Sequence, residues 1–203
     1  MLIRPFELAD TADVYDICVR TADGGGDARG QYSTDDLMPD LFAGPYVWLE
    51  PEHAFVVDDG TRVVGYVVGT SDTPRFVTRY REEWIPRIGD KYSPPPPPVE
   101  RTTTEEHMLS LHFWPERMIS PELVPYPGHL HIDLLPSAQR QGLGRTLIER
   151  FLSTLAAEGV PAVHVGMVTS NTEAAKFYDR LGFTEIPVAD VEGVTFLVRS
   201  TTV

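Results

Sequence analysis

A glycine-rich stretch with two arginines, PSAQRQGLGRTL at 136–147, is the part of this sequence that most clearly suggests a ligand. It joins a predicted strand, HLHIDLLP, to an apolar helical pattern that begins at Leu143. Glycines at such a junction expose backbone N–H groups beside the positive end of the helix dipole, where phosphate binds well. The stretch therefore predicts an anion site, although Gly142 and Gly144 alone are also compatible with a simple tight turn.

Two other phosphate-binding motifs do not fit this stretch. The nucleotide P-loop, G-x-x-x-x-G-K-[ST], does not occur in the sequence. The dinucleotide motif, G-x-G-x-x-G, begins with Gly142 and Gly144 but has Leu147 where its third glycine belongs. The sequence therefore gives no support to either of these nucleotide sites.

A second group of candidate residues alternates along the strand that precedes the loop. The side chains of His129, His131 and Asp133 would share one face of that strand, because successive strand residues point to opposite faces. Such a face can hold a proton acceptor for catalysis, can be hydrogen-bonded within the sheet, or can ligate zinc as an H-x-H-x-D site. The residues alone leave these three interpretations open.

The periodicity around these residues predicts an α/β protein with helices packed on a sheet. Its elements follow the order β-α-α-β-β, insertion, β-α-β-α-β. The hairpin AFVVDDGTRVVGYVVGT contains Asp59-Gly60, a pair typical of a type I′ turn. Capping-box spacing predicts one helix start from Thr102 and Glu105 and another from Ser170 and Glu173. The helix after the glycine-rich loop shows one apolar face, formed by Leu147, Ile148, Phe151, Leu152 and Leu155.

The segment between the third and fourth strands, about 70–127, is predicted to be a partly helical insertion. Its proline run, Pro94 to Pro98, must be extended and cannot join a helix or a central strand. The segment is too short and irregular for a separate domain, so we expect one domain over 1–203. Its aromatic side chains are expected either to wall an acceptor pocket or simply to pack in the core: Tyr80, Trp84, Tyr92, Phe113 and Trp114.

The composition limits the class of partner. A net charge of −13 disfavours nucleic acid or an anionic membrane as the main partner, because both repel an acidic surface. No apolar run is long enough to span a bilayer, and the start, MLIRPFELAD, lacks the apolar region of a signal peptide. With Cys18 as the single cysteine, no internal disulfide can form. We therefore expect a cytoplasmic, globular protein.

The loop and a later segment together resemble the GNAT superfamily of acetyl-CoA-dependent N-acetyltransferases. Gln139-x-x-Gly142-x-Gly144 follows a strand, and NTEAAKFY at 171–178 is followed by LGF, at the spacing and in the element order of that family. The resemblance implies a central mixed sheet flanked by helices, acetyl-CoA as co-substrate and no metal. The coenzyme-binding residues that it implies are Leu134, Leu135, Gln139, Arg140, Gln141, Gly142, Leu143, Gly144, Arg145, Thr146 and Asn171.

The same resemblance assigns catalytic roles. Tyr178 matches the family's usual general acid, which protonates the leaving thiolate; a phenol pKa of about 10 and a thiol pKa of about 8.5 are close enough for that transfer. Packing against Phe177 and Leu181 is the alternative role for this ring. Some protein N-terminal acetyltransferases of the superfamily carry a glutamate five residues before the asparagine, where this chain has Gly166. Asp133 coincides with an aspartate in the acetyltransferase-like domains of O-GlcNAcases, so that likeness makes it the preferred base or amine anchor, with His131 second.

Four further stretches resemble the acetyltransferase-like domains at the C-terminus of O-GlcNAcases: VYDICVRTADGG, GYVVGTSDTPRFV, WIPRIGDKY and PGHLHIDLLP. Those domains are generally regarded as inactive in animals and lack the coenzyme-binding loop, whereas the loop is intact here. We therefore expect acetyl transfer to an amine, with a module that binds CoA without turnover as the alternative. Small amines, aminoglycosides, peptide N-termini and protein lysines all stay open as acceptors, and the chain acts alone or as a homodimer.

Overall fold

Seven strands form one sheet in the order β1-β2-β3-β4-β5-β7-β6. The structure is a computed structural model and describes residues 1–189 and 191–202. Neighbouring strands are antiparallel except β4 and β5, which run parallel, so the predicted mixed sheet is confirmed. The strands are β1 (Leu2–Pro5), β2 (Phe55–Asp58), β3 (Val63–Thr70), β4 (Gly128–Leu134), β5 (Ala162–Val168), β6 (Thr184–Ile186) and β7 (Val194–Ser200).

Helices cover both faces of the sheet. They are α1 (Thr11–Val19), α2 (Leu37–Phe42), α3 (Gly44–Leu49), α4 (Thr73–Arg79), α5 (Ile85–Ile88), α6 (Thr104–Phe113), α7 (Leu143–Ala157) and α8 (Thr172–Asp179). Gly69 of β3 lies against Phe151 of α7, whereas the next residue, Thr70, pairs with His129, which contacts Tyr46 of α3. Because successive strand residues point to opposite faces, α7 and α3 lie on opposite sides of the sheet.

The apolar face predicted for α7 is buried as expected. Leu147, Ile148, Phe151, Leu152 and Leu155 are all among the buried residues of the main core. Burial of five such side chains contributes on the order of 10 kcal/mol of transfer free energy, an upper bound because unfolded chains already bury some apolar surface. This helix is thereby fixed on the sheet, and its first turn is held in one position.

The chain between β3 and β4 is a long helical insertion, as predicted. It contains α4, a π-helical turn at Tyr80–Trp84, α5 and α6. The buried Asp40 of α2 ties this insertion to the rest of the molecule. Its carboxylate accepts hydrogen bonds from Tyr92 (2.7 Å) and Lys91 (2.6 Å), and its backbone carbonyl accepts one from the indole of Trp84 (2.9 Å). No helix within 1–189 and 191–202 combines the length and apolarity that crossing a membrane would need.

Two short elements were not predicted from the sequence. Strand β6 has only three residues, Thr184–Ile186, two of them exposed, so no apolar alternation marks it. Helix α3 begins Gly44-Pro45, and glycine and proline are typical of turns. Its proline nevertheless suits the first turn of a helix, where the missing N–H would have no helical acceptor.

The predicted hairpin forms, but the type I′ turn is wrong. Four residues, 59–62, connect β2 and β3, and Gly60 has a positive φ of 95° while Asp59 does not. A type I′ turn needs positive φ at both central residues. The Asp59 carboxylate instead accepts hydrogen bonds from the backbone N–H groups of Thr61 (2.8 Å) and Arg62 (3.0 Å), which stabilises the longer loop.

Both predicted capping boxes are displaced by one residue. At α6 the box consists of Thr103 and Glu106, and at α8 the cap is Asn171, whose side chain accepts from the Ala174 N–H. In each place neighbouring residues have equally good capping side chains, so the sequence alone does not distinguish them. The shift matters at α8, because it gives Asn171 a structural hydrogen bond.

Candidate active site

A cavity of about 1000 Å³ opens where β4 and β5 separate. These two strands pair only at Gly128–Val163 and His129–His164, near the start of each strand, and diverge beyond that point. The loop after α1, the first turn of α7, and α8 complete the walls. The residues of β4 and β5 that line it are His131, Ile132, Asp133, Leu134, Val165, Gly166, Met167 and Val168.

The glycine-rich loop forms one end of this cavity. Gly142 caps α7 with φ of 80°, a left-handed conformation that favours glycine. The first helical hydrogen bond runs from the Thr146 N–H to the Gly142 carbonyl (3.1 Å), so the N–H groups of residues 143–145 precede any helical acceptor. Gln139, Arg140, Gly142, Gly144 and Arg145 line the cavity, whereas Gln141, Leu143 and Thr146 lie in the same turn outside the lining.

The second glycine of the loop allows two helices to approach closely. A Cβ at Gly144 would lie 3.1 Å from Cε2 of Phe177 on α8 and 3.2 Å from its Cζ. A side chain at this position would therefore push α7 and α8 apart. The close approach keeps the first turn of α7 beside α8 at the mouth of the cavity.

Three guanidinium groups gather at this end. Arg140, Arg145 and Arg180 all line the cavity, and Nη2 of Arg145 donates to the Arg180 backbone carbonyl (3.2 Å). Arg140 has φ of 60°, which is unusual for a residue with a side chain. These are the basic residues of the cavity lining among the described residues, so the positive charge of the site is confined to the end with free helix N–H groups.

The backbone N–H groups at the end of β4 have different surroundings. Leu135 donates its N–H to the Val64 carbonyl (2.9 Å), and its side chain is buried outside the cavity lining. Because N–H directions alternate along an antiparallel strand, the N–H of Leu134 is directed away from β3 and toward the gap beside β5. The geometry thus favours Leu134 over Leu135 as a donor into the cavity.

Asn171 lines the cavity and also holds the structure together. Its Oδ1 accepts from the Ala174 N–H (3.0 Å) and its Nδ2 donates to the Gly24 carbonyl (3.1 Å) in the loop after α1. That loop, 22–25, is itself part of the cavity lining. One hydrogen of the Asn171 amide remains for a ligand after these two contacts.

Tyr178 combines both roles that its sequence context allowed. Its ring is 5% exposed and packs edge-on against Phe177 and Phe183, while the residue lines the cavity. The Tyr178 hydroxyl has no hydrogen-bond partner in the protein. Every buried side-chain nitrogen or oxygen of the described residues does have one, so this hydroxyl is not sealed off and is accessible from the cavity. Burial, and then the charge of Asp133, raise the pKa of Tyr178 above its ordinary value. Tyr178 therefore stays protonated at neutral pH and keeps its proton more strongly than an exposed phenol does.

Asp133 lines the same cavity as Tyr178, on the strand face that was predicted. The Tyr66 hydroxyl donates to Oδ2 of Asp133 (2.6 Å) across the β3–β4 pair. Burial raises the pKa of Asp133 above that of an exposed aspartate, although the hydrogen bond from Tyr66 opposes this effect. The result is a carboxylate with some proton affinity in a cavity whose basic side chains lie elsewhere.

The two histidines of β4 share the Tyr46 hydroxyl. Its oxygen lies 2.8 Å from Nε2 of His129 and 3.1 Å from Nε2 of His131, and only His131 lines the cavity. Burial lowers the pKa of His131 to about 4, so the ring is uncharged. Within the described residues no group of three or more His, Cys, Asp or Glu side chains is arranged to hold a metal ion. The zinc interpretation of H-x-H-x-D therefore lacks the ligand geometry that it needs.

Of the two roles left open for the insertion's aromatic side chains, core packing fits better than an acceptor-pocket wall. Tyr80, Trp84 and Tyr92 are buried in the core, and none of the five insertion aromatics lines the cavity. The insertion instead contributes Met108 of α6. Residues that sequence reasoning missed are Arg180, Tyr66, Tyr46 and the cavity-lining side chains of Tyr32, Met38 and Phe42. No local motif marks them, since each depends on contacts between distant segments.

The comparisons with known proteins agree with this geometry. Residues 27–183 match the Acetyltransferase (GNAT) family. The protein O-GlcNAcase of Rattus norvegicus is 31% identical over 193 residues, which cover 94% of this chain but 20% of that protein. The chain therefore spans about a fifth of the length of this curated relative.

Two solved structures are also similar. The crystal structure of SsHAT is 51% identical, with a TM-score of 0.94 and coverage of 100% of this chain and 98% of SsHAT. The structure of yncA from Salmonella typhimurium, solved with its cofactor acetyl-CoA, is 16% identical with a TM-score of 0.54, covering 98% of this chain and 93% of yncA. The second likeness shows the fold alone, whereas the first extends to the sequence.

Proposed function

This chain belongs to the GNAT acetyltransferase family, and we propose that it transfers the acetyl group of acetyl-CoA to an amine by direct attack on the thioester. One observation carries the proposal: a single cavity places the unpaired N–H groups of a helix start at one end and Asp133 and Tyr178 within reach of the gap between β4 and β5. We also propose that residues 1–203 act as one domain, because the sheet takes strands from both ends of the chain.

The charged end of the cavity suits the diphosphate of the coenzyme. The N–H groups of residues 143–145 would donate to phosphate oxygens, in the orientation that the helix dipole favours. Arg140, Arg145 and Arg180 would add charge-assisted contacts. Gln139 has a separate role, because its Nε2 donates to the Leu134 carbonyl (2.9 Å) and so links the loop to the end of β4. Leu135 is left out of the proposed binding set, since its N–H is already paired.

The gap between β4 and β5 would hold the acyl end of the coenzyme. The Leu134 N–H, directed into that gap, would donate to the carbonyl oxygen as the amine nitrogen forms the new C–N bond and the oxygen gains negative charge. A fixed backbone dipole in a narrow gap needs no rearrangement at that moment. The tetrahedral intermediate then collapses and breaks the C–S bond.

Two protons must move for this reaction to balance. The attacking nitrogen gains positive charge and gives one proton to Asp133, whose raised proton affinity suits it to this step. The leaving sulfur takes a proton from the hydroxyl of Tyr178, which is protonated at neutral pH. Asp133 then releases its proton to solvent and Tyr178 regains one from solvent, so both side chains return to their starting states and amide and free thiol are the products.

The rest of the cavity favours an amine acceptor. Away from the loop end, the lining among the described residues has no basic side chain and includes Asp133, the uncharged His131 and the side chains of Tyr32, Met38, Phe42 and Met108. A positively charged or neutral amine with an apolar body meets attraction or no repulsion there. An anionic acceptor would meet Asp133 without a compensating charge.

A panel of primary amines with acetyl-CoA tests the proposal, with release of free CoA thiol as the readout. Acceptor-dependent thiol release that Tyr178→Phe reduces would support acetyl transfer. The relationship with O-GlcNAcase over 94% of the chain makes a binding module without turnover the second candidate. Tight coenzyme binding in calorimetry without acceptor-dependent thiol release from any amine would favour that module and contradict the enzyme.

A further inference from the structure

A chain of polar groups, most of them buried, runs from the cavity to the backbone carbonyl of Pro127, just before β4. His131 contacts the hydroxyl of Tyr46 (3.1 Å), which contacts Nε2 of His129 (2.8 Å). Nδ1 of His129 contacts Oγ1 of Thr73 (2.7 Å), and Oγ1 of Thr73 contacts the carbonyl oxygen of Pro127 (2.8 Å). Each hydroxyl in this chain has one proton to place, so the direction of every hydrogen bond is constrained by its neighbours.

The Pro127 carbonyl determines which group donates in each hydrogen bond of this chain. A carbonyl oxygen accepts and cannot donate, so the Thr73 hydroxyl must place its single proton on the contact to Pro127. If that proton pointed at His129 instead, two oxygens would face each other at 2.8 Å with no hydrogen between them. Thr73 therefore accepts at its second contact, and Nδ1 of His129 is the donor.

The same reasoning then fixes the donor and acceptor roles of His129 and Tyr46. Burial lowers the pKa of His129 far below its ordinary value, so the ring carries one proton, on Nδ1, and Nε2 is an acceptor. The Tyr46 hydroxyl must donate to that nitrogen. Its oxygen then accepts from His131, which requires the proton of His131 on Nε2 and leaves Nδ1 as a lone pair.

We propose that Tyr46, His129 and Thr73 are positioning residues, which fix His131 as the Nε2–H tautomer so that its Nδ1 presents a lone pair to the cavity. Nδ1 of His131 has no hydrogen-bond partner in the protein. Within residues 1–189 and 191–202 every buried side-chain nitrogen or oxygen has such a partner, so this atom is accessible from the cavity that His131 lines. Three buried residues thereby determine what kind of ligand atom His131 can meet.

This inference rests on the proposed function for its catalytic meaning. A lone pair beside the Asp133 carboxylate gives the cavity two acceptors close together, which match the two or more N–H groups of a primary amine. His131 Nδ1 would accept one N–H of the attacking amine and Asp133 another, which directs the nitrogen lone pair toward the acetyl carbon. The expected specificity is therefore for primary amines over tertiary amines or alcohols.

Nitrogen NMR of the histidine side chains tests the tautomer without any need for activity. Two-bond ¹H–¹⁵N spectra of the full ¹⁵N-labelled chain, assigned with His131→Gln, should show Nε2 of His131 protonated and Nδ1 unprotonated. In Thr73→Val the proton on His129 has no acceptor at Nδ1 and moves to Nε2. Tyr46 then donates to His131, whose own proton moves to Nδ1. Thr73→Ser keeps the hydroxyl and should keep the wild-type pattern.

Two more variants complete the test. Tyr46→Phe should leave His131 with a mixture of tautomers and raise the KM for the amine about tenfold with unchanged coenzyme affinity. Tyr80→Phe removes a comparable buried Tyr–His contact outside the cavity, to Nδ1 of His112 (3.0 Å). It should change neither the His131 tautomer nor the KM for the amine. A wild-type His131 protonated at Nδ1, or an unchanged His131 pattern in both Thr73→Val and Tyr46→Phe, would overturn the inference. A confirmed tautomer without acetyl transfer would contradict the proposed function alone.

Discussion

The hydroxyl of Tyr66 donates a hydrogen bond of 2.6 Å to Oδ2 of Asp133, from the neighbouring strand and on the cavity side of the sheet. A buried carboxylate loses the solvation of its charge, and a single strong donor compensates only part of that loss. Asp133 is thus held in one orientation while it keeps enough proton affinity to serve an incoming amine. Variants of the two residues test the charge of Asp133 and its orientation separately.

Replacing Asp133 by asparagine preserves the shape of the side chain and removes its charge. We expect kcat/KM for the amine to fall at least about tenfold, because a contact between a charged acceptor and the amine is lost. Tyr66→Phe keeps the carboxylate and removes only the donor, so its effect on kcat/KM should be smaller. Steady-state kinetics with varied amine measure both. An Asp133→Asn enzyme as active as the wild type would remove Asp133 from the reaction.

Replacing Tyr178 by phenylalanine keeps the ring that packs against Phe177 and Phe183 and removes the proton donor. We expect kcat to fall about a hundredfold, the size of a typical general-acid contribution, with coenzyme affinity nearly unchanged. Tyr80→Phe, which removes a buried hydroxyl outside the cavity, should keep the wild-type rate. Equal rates for the wild type and Tyr178→Phe would mean that the hydroxyl has no part in the chemistry.

His53 should make the stability of the fold depend on pH. Burial by itself lowers the pKa of His53, but hydrogen bonds to Glu50 (2.9 Å) and Glu158 (2.9 Å) outweigh it, so the pKa lies above its ordinary value. A raised histidine pKa contributes stability that is complete below about pH 6.5, the unfolded value, and is lost as pH rises through the folded pKa.

Chemical denaturation of His53→Gln across this pH range measures the effect. The variant should be less stable than the wild type by about 2 kcal/mol at pH 6, the scale of hydrogen bonds to charged groups. The difference should shrink as pH rises toward 8 and above. A constant difference at every pH would contradict a raised pKa for His53.

The sequence predicts the coenzyme loop better than the acceptor side, and the reason is separation along the chain. Gln139, Gly142 and Gly144 lie within six residues of one another, so their spacing alone indicates a helix start that can bind an anion. Tyr46 and His131 are 85 residues apart, and Tyr66 and Asp133 are 67 apart. Such pairs form only when β3, β4 and α3 come together, and no local pattern encodes that packing.

In the insertion, too, the sequence predicts what is local and fails where distant residues come together. Its boundaries were predictable because β3 and β4 have clear apolar patterns that end at Thr70 and begin at Gly128. The direction of its aromatic side chains was not, because it depends on Asp40 of α2, whose buried carboxylate and carbonyl hold Tyr92 and Trp84 in the core. The sequence shows that these rings are present but not which side of the insertion faces the cavity.

The binding of acetyl-CoA to two variants of Gly142 is the most direct measurement of the central claim, that the start of α7 binds the coenzyme diphosphate. Gly142 has φ of 80°, and both asparagine and aspartate tolerate that conformation, so Gly142→Asn and Gly142→Asp differ in charge but hardly in shape. Calorimetry should find Kd at least about tenfold weaker for Gly142→Asp than for Gly142→Asn, because a carboxylate would face the diphosphate. Equal affinities for the two variants would contradict the claim and place the coenzyme elsewhere.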